Sequence, residues 1–413
     1  MVRSAQLCGL VVLLCGRGAD AMTFEEALAA AGVRPDAIAP TEAARARASL
    51  DSRMPGRVGN PDLQVGLGPG STNPGLRAEG VEFQSTLLLP WALDDLGGAR
   101  RRSTQAERSW LDAERARRLL EQRRHAARAW FALWTAQQLQ EVAHEEAVAV
   151  ESLAGQIDRA VSVGAAVSAD ALEARVAAGE ARSRVLDAEG AVAEQAAALA
   201  LSTGTAPLPP PRAEGAAPDP TLPEPETWPR WVDAAGALPE AVAGRWLARV
   251  SSLLAQEATA EGTSWMNAGA QVVRNSADQW QFYAMVGLRW SAFDRNQRAR
   301  AVALGQAELA RGEEAAARRR APVVLSLALH EVEHSRAQEA WLRTSVVPAA
   351  EALVVAREEA LRRGPGTVFD LLRARSARLR ARASRVAAEG RRRAAELDAW
   401  LLLAALPRGE EGR

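Results

Sequence analysis

The sequence predicts a mainly α-helical chain with a membrane β-barrel portion, built from two copies of one unit: a β-hairpin followed by a long helical hairpin. Three observations predict it. Two charged, Ala- and Leu-rich stretches, 94–162 and 295–362, are each long enough for a helix of roughly 100 Å at 1.5 Å per residue. Four short runs alternate apolar and polar residues, and they come in two pairs. The turn and returning helix of the first half recur in the second at an offset of 200 residues.

Residues 1–21 read as a signal peptide. Met1-Val2-Arg3 is a basic start, Leu7 to Leu14 is apolar but far shorter than a membrane span, and Ala19-Asp20-Ala21 is a small-x-small cleavage site. Cys8 and Cys15 are the only cysteines and lie inside this segment, so a mature chain has no disulfide and no cysteine-ligated metal.

The first repeat is expected over 22–203. Thr23 is a candidate N-cap for a helical region reaching about residue 55, and Pro55-Gly56 and Asn60-Pro61 mark turns. The first strand is placed at 62–68, where Leu63, Val65 and Leu67 alternate with Gln64 and Gly66. The second is placed at 81–89 and is ended by Pro90. Long helices at 94–162 and 168–203 follow, reversing at Val163-Gly164-Ala165. Residues 204–230 are proline-dense and read as an extended linker, polyproline II in part.

The second repeat is expected over 231–406. After a helix near 238–261, strands at 265–274 and 279–290 carry Met266, Ala268, Ala270 and Val272, then Trp280, Phe282, Ala284, Val286, Leu288 and Trp290, on apolar faces. Helices at 295–362 and 368–406 turn at Gly364-Pro365-Gly366, and Pro322 and Pro348 should kink the first of them. Leu372, Ser376, Leu379, Ala383, Val386, Gly390, Ala394, Leu397 and Leu401 form a narrow seam on the last helix. Residues 407–413 read as a disordered tail. The duplication is carried by Gly164 and Gly364, Asp170 and Asp370, Leu172 and Leu372, Arg175 and Arg375, and Glu189-Gly190 and Glu389-Gly390.

Lys+Arg and Asp+Glu are both 51, every basic residue is arginine, and the signs are interspersed, which argues against a nucleic-acid surface. No stretch after residue 21 is a membrane-helix candidate, so entry into a membrane must use strands. Four strands per chain cannot close a barrel, and open edges in lipid cost several kcal/mol per unpaired group. Several chains must share one barrel, most simply three, giving twelve strands. Trp91, Trp265, Trp280 and Trp290 fall near strand ends, where interfacial aromatic girdles sit.

The order of signal, hairpin, helical hairpin, linker and repeat resembles the TolC-like outer-membrane efflux proteins. The sharpest local match is Phe293-Asp294-Arg295-Asn296-Gln297 after the fourth strand, similar to the junction in the heavy-metal RND efflux branch. Asn60-Pro61-Asp62-Leu63 and Gly98-Ala99-Arg100 also fit, whereas Ala292 replaces a usual proline and Arg298 a usual glycine. The resemblance implies a homotrimer in outer-membrane lipid whose β-barrel continues as a periplasmic α-helical barrel. It further implies a passive export conduit without cofactor, opened by a periplasmic adaptor and an inner-membrane RND or ABC pump. It places the pore gate at Asp370 and Arg373, the latter where a second acid is common. Three Asp370 carboxylates would form a cation-attracting ring, an adjacent Arg373 would pair with Asp370 as an inter-subunit latch, and the plain alternative makes Asp370 a helix cap. The adaptor-contacting tips implied are Val163, Gly164 and Ala165, with Gly364 and Pro365.

His330-Glu331-Val332-Glu333-His334 satisfies the H-E-x-x-H zinc pattern, yet Ala337 and Ala340 stand where an extended zinc-protease motif needs glycine and histidine. A zinc metalloprotease is therefore a minor alternative, with His330 and His334 as its only metal candidates. The other competing reading is a periplasmic coiled-coil adaptor or scaffold, which should lack two amphipathic hairpins with aromatic ends.

Overall fold

A computed structural model describes residues 21–51, 60–70, 80–206, 208–216, 218–275, 278–289, 293 and 295–407. Residues 1–20 of the expected signal peptide, the first hairpin's loop at 71–79, Trp290, Ala292, Asp294 and the tail from 408 lie outside the described residues. The elements are β1 (Ala21–Met22), α1 (Phe24–Gly32), α2 (Pro35–Asp51), β2 (Asp62–Gly70), β3 (Gly80–Ala92), α3 (Leu96–Ser162), α4 (Ser168–Thr203), β4 (Arg212–Ala213), α5 (Trp228–Asp233), α6 (Pro239–Glu261), β5 (Trp265–Arg274), β6 (Trp280–Arg289), α7 (Gln297–Trp341), a π turn (Leu342–Val346), α8 (Val347–Arg363) and α9 (Val368–Ala404). They fall into two compact units, one of 1–37, 118–238 and 321–413, the other of 38–117 and 239–320.

The second of these units holds a four-stranded antiparallel sheet in the order β2-β3-β5-β6. Its register aligns Leu63 with Leu87, Leu87 with Ala270, and Ala270 with Ala284, so most of the apolar residues of the four strands share one face. The opposite face carries Gln64, Thr86, Gln271 and Tyr283, again aligned across the strands. β3 does not end at Pro90 but continues to Ala92, with Pro90 opposite Asn267. β2 stops opposite Leu88, so at Pro90 one flank of β3 has no neighbouring strand and the missing N–H is tolerated. Gly269 has a structural reason: a Cβ there would lie 2.1 Å from the Leu87 carbonyl oxygen.

Below the sheet, Ala92, Leu96, Ala99 and Ala260 pack with Trp265, and Ala106, Val250 and Leu253 with Trp110 and Trp246. Arg100 donates to Glu257 at 3.1 Å and to Glu261 at 2.8 Å, and Ser103 Oγ donates to Glu257 at 2.7 Å, tying α3 to α6. The Arg295-Asn296-Gln297 motif works as a strand-to-helix junction. Asn296 takes φ of 59°, which asparagine tolerates, and its Nδ2 donates to the Ala258 carbonyl at 3.2 Å. Gln297 accepts from the Arg295 N–H at 2.9 Å and donates to the Phe293 carbonyl at 2.8 Å.

The other unit is a helical bundle. Thr23 and Glu26 form a reciprocal capping box at the start of α1. The 204–230 segment is more than an extended linker: β4 pairs in parallel with β1, and residues 225–237 coil into short helices around α5. Trp130 closes this corner, donating from its indole N–H to the Met22 carbonyl at 2.9 Å while stacking edge-on with Phe24 and Phe131. The helical region at the N-terminus breaks between α1 and α2, at Val33 and Arg34. The two prolines of the seventh and eighth helices behave differently. Helix α7 passes through Pro322 without interruption, and the π turn at 342–346 directly precedes Pro348, where the chain lacks an N–H to continue an α ladder.

Candidate functional site

The tips are built by glycine. Gly164 adopts φ of +76° after α3, its N–H bonding Val161 O at 3.0 Å while Ala165 N–H bonds Ala160 O at 2.8 Å, which closes the helix end in a left-handed turn. Gly364 does the same after α8 with φ of +97°. Beyond it Gly366 lies so close to the preceding helix that a Cβ would meet Leu361 N at 2.6 Å. Val163 is exposed at the first tip, as is Pro365 at the second.

Asp370 and Arg373 lie one turn apart on α9 but are not brought together. Asp370 belongs to the helix cap: Thr367 Oγ1 accepts from the Asp370 N–H at 3.1 Å and donates to Asp370 Oδ2 at 3.0 Å. Its cation within the chain is Arg357 of α8, at 3.9 Å. Arg373 instead lays its guanidinium over the Phe369 ring, 5.4 Å from the centroid. Within one chain, then, Arg373 stacks on Phe369 while Arg357 reaches Asp370 across the hairpin. Sequence reasoning missed Arg357 and Phe369. Phe369 was open to inspection beside Asp370, but Arg357 comes into range only through the reversal at Gly364.

Next to these residues, α3, α4 and α9 border an apolar groove of about 410 Å³, lined by Glu146, Leu172, Val176, Phe369, Leu372 and Arg373 among others. Glu146 is buried and pairs with Arg378 at 3.2 Å. Farther along α9, Glu396 is held between Arg336 at 2.6 Å and Arg392 at 2.9 Å. Asp398 accepts a bidentate pair from Arg124 at 2.6 and 2.7 Å, and a third bond from Arg128 at 2.9 Å. Burial pushes the Asp398 carboxyl up, but the bonds and charge of Arg124, then Arg128, outweigh it and hold it below the usual carboxylate range.

His330, Glu331, Glu333 and His334 are all exposed on α7, and among the described residues no group of three or more His, Cys, Asp or Glu is placed to hold a metal. The zinc-protease geometry is not assembled. No described helix is long and apolar enough to cross a membrane.

Residues 34–205 match the family described as Outer membrane efflux protein. The fold is similar to a membrane protein from Pseudomonas aeruginosa (17% identity, 94% of this chain and 92% of that chain, TM-score 0.75). It is also similar to CusC (15%, 94% and 92%, TM-score 0.73) and to the outer membrane protein VceC from Vibrio cholerae (17%, 94% and 97%, TM-score 0.71). No curated protein matches the chain in sequence. Residues 34–205 thus match the model of that family, and the chain shares the fold of these solved structures over nearly its whole length.

Proposed function

We propose that this chain is the outer-membrane channel subunit of a tripartite efflux or type I secretion system, a passive conduit and not an enzyme. The observation that carries this is the one-faced open sheet. Leu63, Val65, Leu67, Val81, Phe282, Val286 and Leu288 are exposed on its apolar face, and β2 and β6 each leave one edge unpaired among the described residues. Lipid matches the apolar face and a water-filled lumen the polar one, but only if the edges are closed by other copies. A homotrimer supplies the twelve strands. Phe83 and Trp280, in edge contact at 6.3 Å, fit an aromatic girdle at one end of the strands, and Trp91 fits the other.

The helical bundle supports the same assembly. The α4 face bearing Leu172, Val176, Leu186 and Leu201 is exposed in the single chain, as an inter-subunit helix seam would be. In this reading the glycine tips contact a periplasmic adaptor coupled to an inner-membrane pump, and the α9 start, with Asp370 and Arg373, narrows the pore. Native mass spectrometry and planar-bilayer recordings of protein extracted from outer membranes test it. Trimers with a defined conductance are expected. Recovery from the soluble periplasmic fraction without detergent, as a monomer that forms no channels, would overturn the proposal.

A further inference from the structure

Neither the zinc-protease reading nor the conduit reading accounts for the histidine motif. His330 and His334 sit one turn apart on the exposed side of α7, with ring centroids 6.5 Å apart and planes inclined by 25°. Neither has a hydrogen-bond or ion-pair partner among the described residues, so both imidazoles are available as ligands. The turn that carries them is fixed from behind, since Leu325, Leu329, Val332 and Ser335 on its inner side are all but fully buried. Rotation of two side chains, without backbone movement, brings one nitrogen of each ring toward a single ion at about 2.0–2.1 Å. Glu331 and Glu333 flank the pair and are exposed, and His330 and Glu333 border a cavity of about 470 Å³ that also reaches Asp233. These carboxylates add negative potential that favours a cation.

We propose that His330 and His334 form a two-point surface chelate for a divalent transition-metal ion, with water completing the coordination. Imidazole ligands select the class: Cu²⁺ binds most tightly, Ni²⁺ and Zn²⁺ less so, and Mg²⁺ and Ca²⁺ not measurably. The site is independent of the conduit reading and of any hydrolysis, because two ligands on an open helix face assemble no cleft.

The test uses the full-length, tag-free protein in detergent, stripped with chelator and titrated with Cu²⁺ by calorimetry, with electron paramagnetic resonance to read nitrogen ligation. About one Cu²⁺ per chain with nitrogen in its coordination sphere is expected, together with a higher melting temperature in the loaded protein. His330→Ala and His334→Ala should each weaken binding roughly tenfold or more, while a His125→Ala/His144→Ala variant binds as the parent does. Both sites are exposed, so unchanged helical circular dichroism certifies the fold. Equal Cu²⁺ uptake by the parent and the His330→Ala/His334→Ala variant would sink the proposal, whatever the protein's channel activity.

Discussion

The two returning helices, α4 and α9, occupy equivalent places in the duplicated unit, yet the fold uses them differently. On α9 the seam residues Leu372, Leu379, Val386, Leu397 and Leu401 are buried, covered by Val142, Val150, Trp130 and their neighbours on α3. The equivalent residues of α4 stay out: Leu172 is 61% exposed where Leu372 is 9% exposed. The paired glycines show the same contrast. A Cβ on Gly390 would lie 2.0 Å from Thr135 Oγ1, whereas one on Gly190 would meet nothing within 4 Å. One copy of the unit has thus become interior to the chain, and the other has kept its contact face free. If the chain closes a ring with other copies, as proposed, that asymmetry leaves one seam filled within the chain and its twin free for a neighbouring copy.

Ionic groups mark the difference most strongly. α9 carries Glu396, 2% exposed at its side chain, bonded to Arg336 and Arg392, where α4 has the apolar Ala196. Glu396→Ala should cost about 2–4 kcal/mol, mainly because it strands the Arg392 guanidinium, 20% exposed, whereas the half-exposed Arg336 is solvated by water. Urea unfolding followed by helical circular dichroism measures it. A loss below about 1 kcal/mol would mean that solvent already screens the cluster.

Next in size is the glycine pair. Gly390→Leu must displace Thr135 and should destabilise the chain by about 1–3 kcal/mol through overpacking. Gly190→Leu should leave the subunit's unfolding transition unharmed, since leucine is the better helix former, and should instead lower the trimer fraction in native mass spectrometry. If Gly190→Leu damaged folding as much as Gly390→Leu while leaving assembly intact, the distinction between an inner and an outer seam would fail.

Asp398 gives the comparison a pH signature. Its carboxyl is held low by Arg124 and Arg128, so the folded chain binds that proton more weakly than the unfolded one. The stabilisation is therefore fully present above the unfolded carboxylate value near about 4 and is lost as pH falls through the lower folded value. Asp398→Asn should flatten that acid limb of the melting curve. The α4 counterpart, Ala198, is exposed and carries no charge, so Ala198→Asn should leave the limb unchanged.

Much of this was legible because the periodicities are physical. A strand with one apolar and one polar face must alternate, so the Leu63-Val65-Leu67 and Phe282-Ala284-Val286 runs identify themselves. Long helices with glycine at their turns are equally visible at Gly164 and Gly364. What stayed hidden lacks a local signature. The β1–β4 pair joins two-residue strands far apart in sequence, and Ala374, Ala381, Ala388, Ala395 and Leu402, a second buried seam at every seventh residue, are lost among the many alanines. Pro90 was misread because a proline's tolerance depends on whether a neighbouring strand reaches it. At the start of α9, the sequence around Asp370 does not reveal Arg357, which only the hairpin fold brings within 3.9 Å.

The smallest energetic effect is expected at the start of α9, the proposed gate, where the functional effect should be largest relative to it. The Arg357–Asp370 contact, at 3.9 Å between half-exposed side chains, contributes at most about 1 kcal/mol, so Arg357→Ala should leave unfolding nearly unchanged. Thr367 would still cap α9 by accepting from the Asp370 N–H. If the start of α9 narrows the pore, freeing this carboxylate raises the cation-attracting charge at the constriction, and the single-channel conductance should shift toward cations in a salt gradient. Arg373→Asp should produce a larger shift of the same sign, because it replaces a cation with an acid. The α4 side supplies the control. Glu173 stands at the place equivalent to Arg373 and is exposed, so Glu173→Arg tests whether the first repeat also faces the lumen. Equal selectivity changes from Glu173→Arg and Arg373→Asp, opposite in sign, would place both returning helices at the constriction and remove the functional asymmetry between them.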